Sequence, residues 1–214
     1  MNAQRKSFRR EGEDFRRREL VEATLTCIAT LGMERTTVRE IAIKAGVTAG
    51  LIRHYFSTKD ELVLAAYSQY VAAMAAQSRE AVESASPDPL HRLAAFVRAN
   101  LSAPVVDQTN LSLWAGFIET IRTNSEMATI HLEGYHGYRS DAETLIRAAY
   151  AHENRNIPQQ KLRGMGIALN AIIDGLWLEG SMSPGEFAEG ELAQIGLAAA
   201  SALLGIDLQK AEMK

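Results

Sequence analysis

The sequence predicts an all-α protein of nine helices, with a small three-helix N-terminal domain and a larger six-helix C-terminal domain. Three observations support this fold class. Apolar residues recur at the spacing of amphipathic helices along most of the 214 residues. No stretch of useful length alternates apolar and polar residues, as a half-buried strand would. Glycine and proline interrupt the periodic stretches where helices are expected to end.

The first helix is expected from about Arg16 to Leu31, where Gly32 ends it. Its apolar stripe should pack across the two helices that follow and complete the three-helix domain. The stripe consists of Leu20, Ala23, Thr24, Cys27, Ile28 and Leu31. Cys27 is the single cysteine of the chain, and its position on the apolar side indicates a buried, unreactive thiol.

Two short helices joined by a glycine turn are predicted next. Thr37 is a suitable N-cap for the first, and Glu40 three residues later completes a capping box. Gly46 follows the last periodic residue, where a left-handed C-terminal cap favours glycine. Thr48 can cap the second helix at once. Two such helices form a helix-turn-helix, whose second helix can lie in the DNA major groove, although ordinary helical hairpins show the same pattern.

Charge supports the DNA-binding interpretation. Cations and hydrogen-bond donors, which DNA phosphates need, lie away from the apolar side of the motif. These residues are Arg39, Lys44, Thr48, Arg53, His54 and Lys59. Residues 1–60 hold 12 Lys and Arg against 8 Asp and Glu, whereas the other 154 residues hold 11 against 18. An acidic remainder would repel DNA and thereby orient the molecule on it.

The first fifteen residues have little apolar periodicity and are expected to form a flexible basic arm, 1–15, before the helix-turn-helix domain, 16–60. The arm contains Arg5, Lys6, Arg9 and Arg10. Two interpretations are open: a solvated tail, or an arm that enters a minor groove, whose potential attracts arginine. The start of the chain is highly charged and lacks the apolar segment of a secretory signal, so a cytoplasmic location is expected.

The C-terminal domain is expected over residues 61–214. A long helix from about Lys59 to Ser84 joins it to the N-terminal domain and contains no proline, so a movement at its far end could tilt that domain. The other helices are expected over residues 90–103, 108–123, 125–151, 159–182 and 184–204. Ser183 is assigned as the cap of the last helix, with Pro184 at its first position.

Aromatic residues are concentrated in the C-terminal domain. Trp114 and Phe117 share a helix face, Tyr135 and Tyr138 lie three residues apart on the next helix, and Trp177 follows in the penultimate helix. Aromatic rings that converge inside a helical bundle can wall a pocket and hold a cationic ligand over their faces. The alternative is that these rings only fill the core.

The last two predicted helices carry small and apolar residues on wide faces, which permit helices to approach closely. Two copies could therefore pack as a four-helix bundle across a two-fold axis and form a homodimer. The alternative is a hairpin within one chain. The residues of these faces are Ala168, Ala171, Ile172, Gly175, Ile195, Gly196, Ala199, Ala200 and Leu203.

An enzymatic function has little support in the residues. The only candidates for a metal cluster are His131, Glu133, His136, His152 and Glu153. His131 and His136 are five residues apart and therefore off a common helix face, whereas the metalloprotease motif needs four residues with a glutamate between. No glycine-rich phosphate loop or serine elbow is present. Asp174 is better explained as a buried hydrogen-bond acceptor than as a general base, and we expect no metal and no cofactor.

A purely architectural DNA-binding protein is the other alternative. More than two-thirds of the chain lies beyond the N-terminal domain, and a sensor needs that volume whereas an architectural protein does not. No run of eighteen or more apolar residues occurs, so we expect no membrane span.

Residues 36–62 resemble the N-terminal domain of the TetR family of bacterial repressors. The family pattern is T-x-R-x-I-A, a glycine turn, and Y-x-F-x-x-K-x-x-L, and the corresponding residues here are Thr37, Arg39, Ile41, Ala42, Gly46, His54, Tyr55, Phe56, Lys59 and Leu62. Arg53 stands where the family usually has an aromatic residue and brings a guanidinium that could reach phosphate or guanine. Residues 112–121 and 168–182 resemble the betaine-regulon repressor (BetI-type) branch of the family. Ile118 replaces the second tryptophan of that branch's W-x-x-F-W motif, which removes one potential ring of a cation-binding cage.

The resemblance implies a dimeric repressor that binds a palindromic operator in double-stranded DNA and is released by a small-molecule effector. Choline or a related quaternary ammonium compound is an allowed effector. The DNA-binding residues would be Thr37, Arg39, Thr48, Ala49, Arg53, His54, Tyr55 and Lys59. Of these, Arg39, Thr48, Ala49 and Arg53 are expected to face bases, and the others phosphates. The effector-binding residues would be Trp114, Phe117, Ile118, Tyr135, Tyr138, Asp174 and Trp177.

Overall fold

The computed structural model describes residues 2–209, and within residues 2–11 it describes the helix backbone alone. This part of the chain contains nine α-helices and no strand, which confirms the predicted all-α class. The helices are α1 (Asn2–Leu31), α2 (Val38–Ala45), α3 (Ala49–Tyr55), α4 (Lys59–Ser84), α5 (Pro89–Asn100), α6 (Gln108–Thr123), α7 (Ser125–His152), α8 (Gln159–Met182) and α9 (Glu191–Leu204).

The chain forms two compact units. The first unit consists of Met1–Val71 together with Ser112–Ile130, and the second unit consists of Ala72–Leu111 together with His131–Lys214. The first unit therefore contains the three N-terminal helices, the start of α4 and most of α6. The second unit contains α5, α8, α9 and the larger part of α7.

The core of the helix-turn-helix lies where α1, α2, α3 and the start of α4 meet. Leu20, Ile41, Ile52, Phe56 and Leu62 are almost completely buried there. Burying a side chain of this size stabilises the fold by about 1.5–3 kcal/mol. These residues are the apolar positions that the helical spacing of the sequence indicated.

A second cluster in the first unit joins α6 to α1 and α4. Leu113 and Phe117 of α6 pack with Ile28 of α1 and with Val63 and Tyr67 of α4. The helices come close at Gly116, where an added Cβ would lie 2.9 Å from the Cγ2 atom of Ile28. α6 thus contributes to the core of the first unit, which the sequence did not indicate.

The core of the second unit is formed by α5, α7, α8 and α9. Leu93, Val97, Ile146, Leu169 and Leu197 are almost completely buried in it. The buried Tyr150 donates its hydroxyl proton to the carbonyl oxygen of Leu204 at 2.7 Å. This arrangement fixes α9 against the end of α7.

The predicted start of the last helix is wrong, because α9 begins at Glu191 rather than at Pro184. Ser183 caps the end of α8 instead, where its N–H donates to the carbonyl oxygen of Glu179. Gly185 and Gly190 have φ angles of +86° and +77°, which lie outside the helical region and hold residues 183–190 in a turn.

Two other helix starts differ from the prediction. α5 begins at Pro89 because Oδ1 of Asp88 accepts hydrogen bonds from the backbone N–H groups of Leu90 and His91, at 2.8 and 3.4 Å. α1 begins at Asn2, so it is longer than the sequence indicated. The cations of the predicted basic arm lie outside the described side chains, and their role stays a prediction; they are Arg5, Lys6, Arg9 and Arg10.

None of the helices in the described residues combines the length and the apolarity that crossing a membrane requires.

Candidate functional site

α2 and α3 form a helix-turn-helix whose ends are set by the residues that the sequence indicated. Thr37 has extended backbone angles, and its Oγ1 accepts a hydrogen bond from the N–H of Glu40 at 3.2 Å. Gly46 ends α2 with a φ of +64°, in the left-handed region. Thr48 starts α3, because its Oγ1 accepts from the N–H of Leu51 at 3.2 Å. The predicted caps and the glycine turn are confirmed.

The predicted base-facing residues lie on the solvent side of this motif. Ile41 and Ile52, on the opposite side, are buried. The four predicted residues are all exposed: Arg39, Thr48, Ala49 and Arg53. Guanidinium, hydroxyl and methyl groups are side-chain groups that can contact base edges in the major groove, and the base-facing role of these four residues stays a prediction.

The predicted phosphate-binding residues differ in exposure. Thr37 and His54 are exposed, whereas Tyr55 and Lys59 are half-buried. The ring of Tyr55 meets the ring of His54 edge to face, with 5.1 Å between their centroids. Nζ of Lys59 donates to the carbonyl oxygen of Met33 at 3.4 Å. An ammonium group has three donors, so this contact leaves Lys59 capacity for a phosphate.

Arg17 of α1 holds the C-terminal end of α3 in place. Its guanidinium carbon lies 4.1 Å from the centroid of the Phe56 ring. Its Nη1 donates to the carbonyl oxygen of Tyr55 at 3.0 Å, and its Nη2 lies 3.9 Å from Oε1 of Glu61. The sequence indicated Arg17 only as one of a run of cations, and no sequence signal could have found these contacts because they join residues 38 or more positions apart.

Three of the predicted effector-binding residues lie on α6 in the first unit. Trp114 and Ile118 are 38% and 45% exposed. Phe117 is completely buried, and its ring packs against Tyr67 and Tyr70, with centroid distances of 4.9 and 6.0 Å. Burial raises the pKa of both tyrosines to about 12. Phe117 thus fills core space, and the effector-binding role of all three residues stays a prediction.

The other four predicted effector-binding residues lie in the second unit, and two of them share a polar cluster. Nδ2 of Asn170 donates to Oδ2 of Asp174 at 2.7 Å and also to the hydroxyl oxygen of Tyr135. The Tyr135 hydroxyl donates to the same carboxylate oxygen at 3.4 Å. Asn170 is buried and was not among the predicted residues, although its spacing of four from Asp174 places both on one face of α8. Asp174 accepts hydrogen bonds, as predicted, but the residue is exposed rather than buried.

The environment of this cluster raises the pKa of the Asp174 carboxyl group. Asp174 is exposed on one side, yet packing of its carboxyl group raises the pKa, and the hydrogen bonds from Asn170 and Tyr135 only partly oppose this effect. Burial and the nearby Asp174 carboxylate also raise the pKa of Tyr135. A positively charged ligand would stabilise the ionised form of Asp174.

Tyr138 and Trp177 pack at the edge of the second core. The ring of Tyr138 lies against Phe96, with 4.9 Å between centroids, and its buried hydroxyl has no hydrogen-bond partner among the described residues. Burial raises the pKa of Tyr138 well above its ordinary value. Nε1 of Trp177 donates to the carbonyl oxygen of Val105 at 2.9 Å.

The candidates for a metal cluster do not come together. Among the described residues, no group of three or more His, Cys, Asp and Glu side chains could hold a metal ion. His131 is half-buried with its ring 5.8 Å from that of Tyr135, and His136 is exposed.

Cys27 is buried, and burial raises the pKa of its thiol although Lys44 opposes the shift. The predicted unreactive thiol agrees with these surroundings.

α8 and α9 each present an apolar stripe to solvent. On α8 the stripe contains Ile167, Ala171, Gly175, Leu178 and Met182, and on α9 it contains Ile195, Ala198 and Ala202. Two residues that the sequence placed on this face lie in the core instead: Gly196 and Ala200 are buried. An added Cβ at Gly196 would collide with Leu101, so this glycine serves the contact between α9 and α5.

Comparison with known proteins identifies both parts of the chain. Residues 20–66 match the family model for bacterial regulatory proteins of the tetR family, and residues 89–205 match the model for the C-terminal domain of BetI-type transcriptional repressors. The HTH-type transcriptional regulator BetI of Stenotrophomonas maltophilia is 32% identical over 175 residues, which cover 82% of this chain and 86% of that protein.

Solved structures share the fold. A candidate transcriptional regulator from Pseudomonas aeruginosa PAO1 superposes with a TM-score of 0.80 at 29% identity, over 92% of this chain and 94% of that one. A regulator from Saccharomonospora viridis, crystallised in complex with choline, has a TM-score of 0.71 over 84% of this chain and 92% of that one, and at 19% identity it supports the fold alone. The chain belongs to the TetR family of bacterial transcriptional regulators, and its C-terminal part is of the BetI type.

Proposed function

We propose that the protein is a one-component repressor that binds a palindromic operator as a homodimer and is released by a small-molecule effector. The observation that carries this proposal is the exposed polar face of the helix-turn-helix. Arg39, Thr48 and Arg53 face solvent on two helices whose ends are capped, so their side chains are presented from a fixed backbone. Phosphate contacts at Thr37 and His54 would set the register of the motif on the duplex.

The homodimer would form through α8 and α9. The apolar stripes on the two helices consist of small side chains alternating with Ile167, Leu178, Met182 and Ile195. Met182 is 66% exposed and Ile195 is 41% exposed. Small residues allow helices to approach closely, and a second copy related by a two-fold axis would cover both stripes. A two-fold dimer would place two recognition helices on half-sites about 34–36 Å apart, or a multiple of that distance.

Effector release would follow from linkage. The effector binds in the C-terminal part with higher affinity for a dimer whose recognition helices are wrongly spaced for the operator. α4 runs without interruption from Lys59 to Ser84 and is the element through which we expect this coupling to pass. Because the protein acts on bacterial operators, we place it in the cytoplasm.

A second, more specific candidate function is a repressor whose effector is a quaternary ammonium compound. The choline bound to the Saccharomonospora viridis regulator motivates it, and the polar cluster of Tyr135, Asn170 and Asp174 supports it. An aromatic ring beside a carboxylate in a partly desolvated setting is a chemical environment that attracts organic cations.

Sequencing genomic DNA fragments retained by the purified protein tests the operator part of the proposal. We expect a palindromic sequence, and fluorescence anisotropy with that sequence should give a specific complex. Arg53→Ala should weaken binding by about 1–3 kcal/mol and relax the preference at one base position of each half-site. Arg122→Ala, which replaces an exposed arginine on α6, is the matched control. Retention of random fragments only would contradict the proposal.

Sedimentation velocity tests the homodimer. Ile195→Lys places a charge on the exposed stripe of α9 and should yield monomers, because an unpaired buried charge is costly. Thr144→Lys, at an exposed position on α7, should leave the dimer intact. If the wild-type chain sediments as a monomer at micromolar concentration, the proposed interface is wrong.

A further inference from the structure

Gly50 lies inside a helix, where glycine is an unfavourable residue. It is the second residue of α3, and it is exposed to solvent. Glycine weakens a helix relative to alanine because its backbone loses more conformational freedom on folding. A glycine in so short a helix therefore needs a reason in its backbone angles, in its packing within the protein, or in another molecule that comes close to it.

Neither the backbone nor the packing of the protein requires this glycine. Gly50 has the backbone angles of a helix, unlike Gly46, whose φ of +64° lies in the left-handed region that favours glycine. Outside its own helix backbone and its two chain neighbours, a Cβ atom added at Gly50 would have one neighbour within 4 Å among the described residues. This neighbour is Oγ1 of Thr48 at 3.7 Å, an ordinary van der Waals distance. Alanine would therefore fit the protein at position 50 without strain.

Gly50 belongs to the exposed polar face of α3. Residues three and four positions apart are neighbours on a helix surface, so Gly50 adjoins Arg53 and His54. Both of these residues are exposed, whereas Ile52 lies on the buried side of the same helix. The missing side chain leaves the backbone of α3 uncovered in the middle of the residues that are proposed to contact DNA.

The proposed base-facing side chains beside Gly50 are short. Thr48 carries a hydroxyl and a methyl group beyond its Cβ atom, and Ala49 carries only its Cβ methyl group. Side chains of this length can meet the edges of bases only if the helix backbone itself lies close to the floor of the groove. A side chain at position 50 would hold the backbone away from the duplex.

We propose that Gly50 lets the backbone of α3 lie in van der Waals contact with the duplex and thereby sets how deeply the recognition helix enters the major groove. This proposal rests on the proposed operator-binding function. Gly50 is a positioning residue, because it has no side chain to read a base and acts by the distance that it permits. Glycine is the residue that allows such a close approach of a backbone to a ligand.

Gly50→Ala tests the proposal, because it should change stability and operator binding in opposite directions. In urea unfolding, the folding equilibrium constant should rise about two- to fivefold, which is the gain of alanine over glycine inside a helix. In fluorescence anisotropy with the operator recovered from genomic fragments, affinity should fall about tenfold or more, because an added methyl group overfills a tight contact. Affinity for random duplex should fall less, since nonspecific binding depends on phosphate contacts.

Gly50→Leu extends the test, and Gly137→Ala is the matched control. The larger leucine side chain should weaken operator binding more than alanine does. Gly137 is also an exposed helical glycine, on α7, and a Cβ atom added there meets no described atom within 4 Å beyond its own helix backbone and chain neighbours. We expect Gly137→Ala to raise stability by a similar factor and to leave operator affinity unchanged, because α7 lies outside the helix-turn-helix.

Three outcomes would overturn the proposal and leave the proposed function intact. The first is operator binding by Gly50→Ala as tight as that of wild type. The second is a loss of stability in Gly50→Ala, because the fold itself would then require the glycine. The third is an equal loss of operator affinity in Gly137→Ala. A wild-type protein that binds no specific DNA sequence would refute the proposed function and, with it, this role of Gly50.

Discussion

Arg17 offers a test of how the recognition helix is held, because it acts on α3 from α1 without lying on the exposed face of the motif. We expect Arg17→Ala to weaken operator binding by loosening the end of α3. Arg18→Ala is the matched control, since it removes the same charge from the next position of the same helix. Arg18 is exposed and lies in a groove beside α2, away from the contacts that Arg17 makes.

The magnitude follows from the two contacts that matter. Stacking of the Arg17 guanidinium on Phe56, at 4.1 Å, is worth about 0.5–1 kcal/mol at an exposed site. The hydrogen bond to the Tyr55 carbonyl, at 3.0 Å, contributes about 0.5–1.5 kcal/mol. The ion pair between Arg17 and Glu61 is exposed and long at 3.9 Å, so we assign no stabilising free energy to it. The total of about 1–2.5 kcal/mol corresponds to a factor of about 5–70.

Urea unfolding and operator binding at several salt concentrations measure the effect. We expect the free energy of unfolding to fall by about 1–2.5 kcal/mol, and the operator dissociation constant to rise by at most about 5–70-fold, because only molecules with α3 in place bind. The dependence of affinity on salt should not change, since Arg17 contacts protein groups. A salt slope lowered by about 1 is what the loss of a phosphate contact would give, and it would refute the reasoning. Changes in unfolding free energy and operator affinity as large in Arg18→Ala as in Arg17→Ala would refute it too.

Four further outcomes are expected. Lys59→Ala should weaken binding to all DNA sequences alike and lower the salt slope by about 1, whereas a loss confined to one base pair would contradict a phosphate-binding role. Replacing Trp114 by alanine should change the effector response in an operator-release assay and leave operator affinity without effector intact; an unchanged response removes Trp114 from the site. Asp88→Ala should cost about 1 kcal/mol as a lost N-cap, seen in urea unfolding at neutral pH. Although burial alone would raise the pKa of Asp88, hydrogen bonds from the N–H groups of α5 hold this pKa below the ordinary value of 3.8. The stabilisation by the Asp88 cap is therefore present above pH 3.8 and is lost as the pH falls through the lowered pKa. Burial raises the pKa of Asp174. The protonated carboxyl group therefore stabilises the fold below pH 3.8, and this stabilisation is lost as the pH rises through the raised pKa. Asp174→Asn should therefore be more stable than wild type at neutral pH.

Features that depend on neighbouring residues were predictable from the sequence. Thr37, Gly46 and Thr48 end or begin helices through contacts within four residues, and the structure has each of them where the sequence placed it. Ser183 shows the limit of the same reasoning. A serine before a proline is a good start for a helix, yet the residue caps the end of α8, because Gly185 and Gly190 take positive φ angles that break the helix before α9.

Contacts between distant residues were not predictable in this way. The sequence indicated Gly196 and Ala200 as surface residues of α9, because small side chains suit a helix interface of any kind. In the structure α5 takes up that space, and the exposed stripe is shifted to Ile195, Ala198 and Ala202. Periodicity defines the apolar face of a helix but does not identify the neighbour that covers it.

The sequence by itself determined the all-α class, the helix-turn-helix with its exposed cations and the family, because caps, glycine turns and helical periodicity act over a few residues. Only the tertiary structure decided that Arg17 secures α3 and that Asn170 joins Tyr135 and Asp174. Each of these arrangements joins residues more than thirty positions apart, and their distance and burial depend on how whole helices pack.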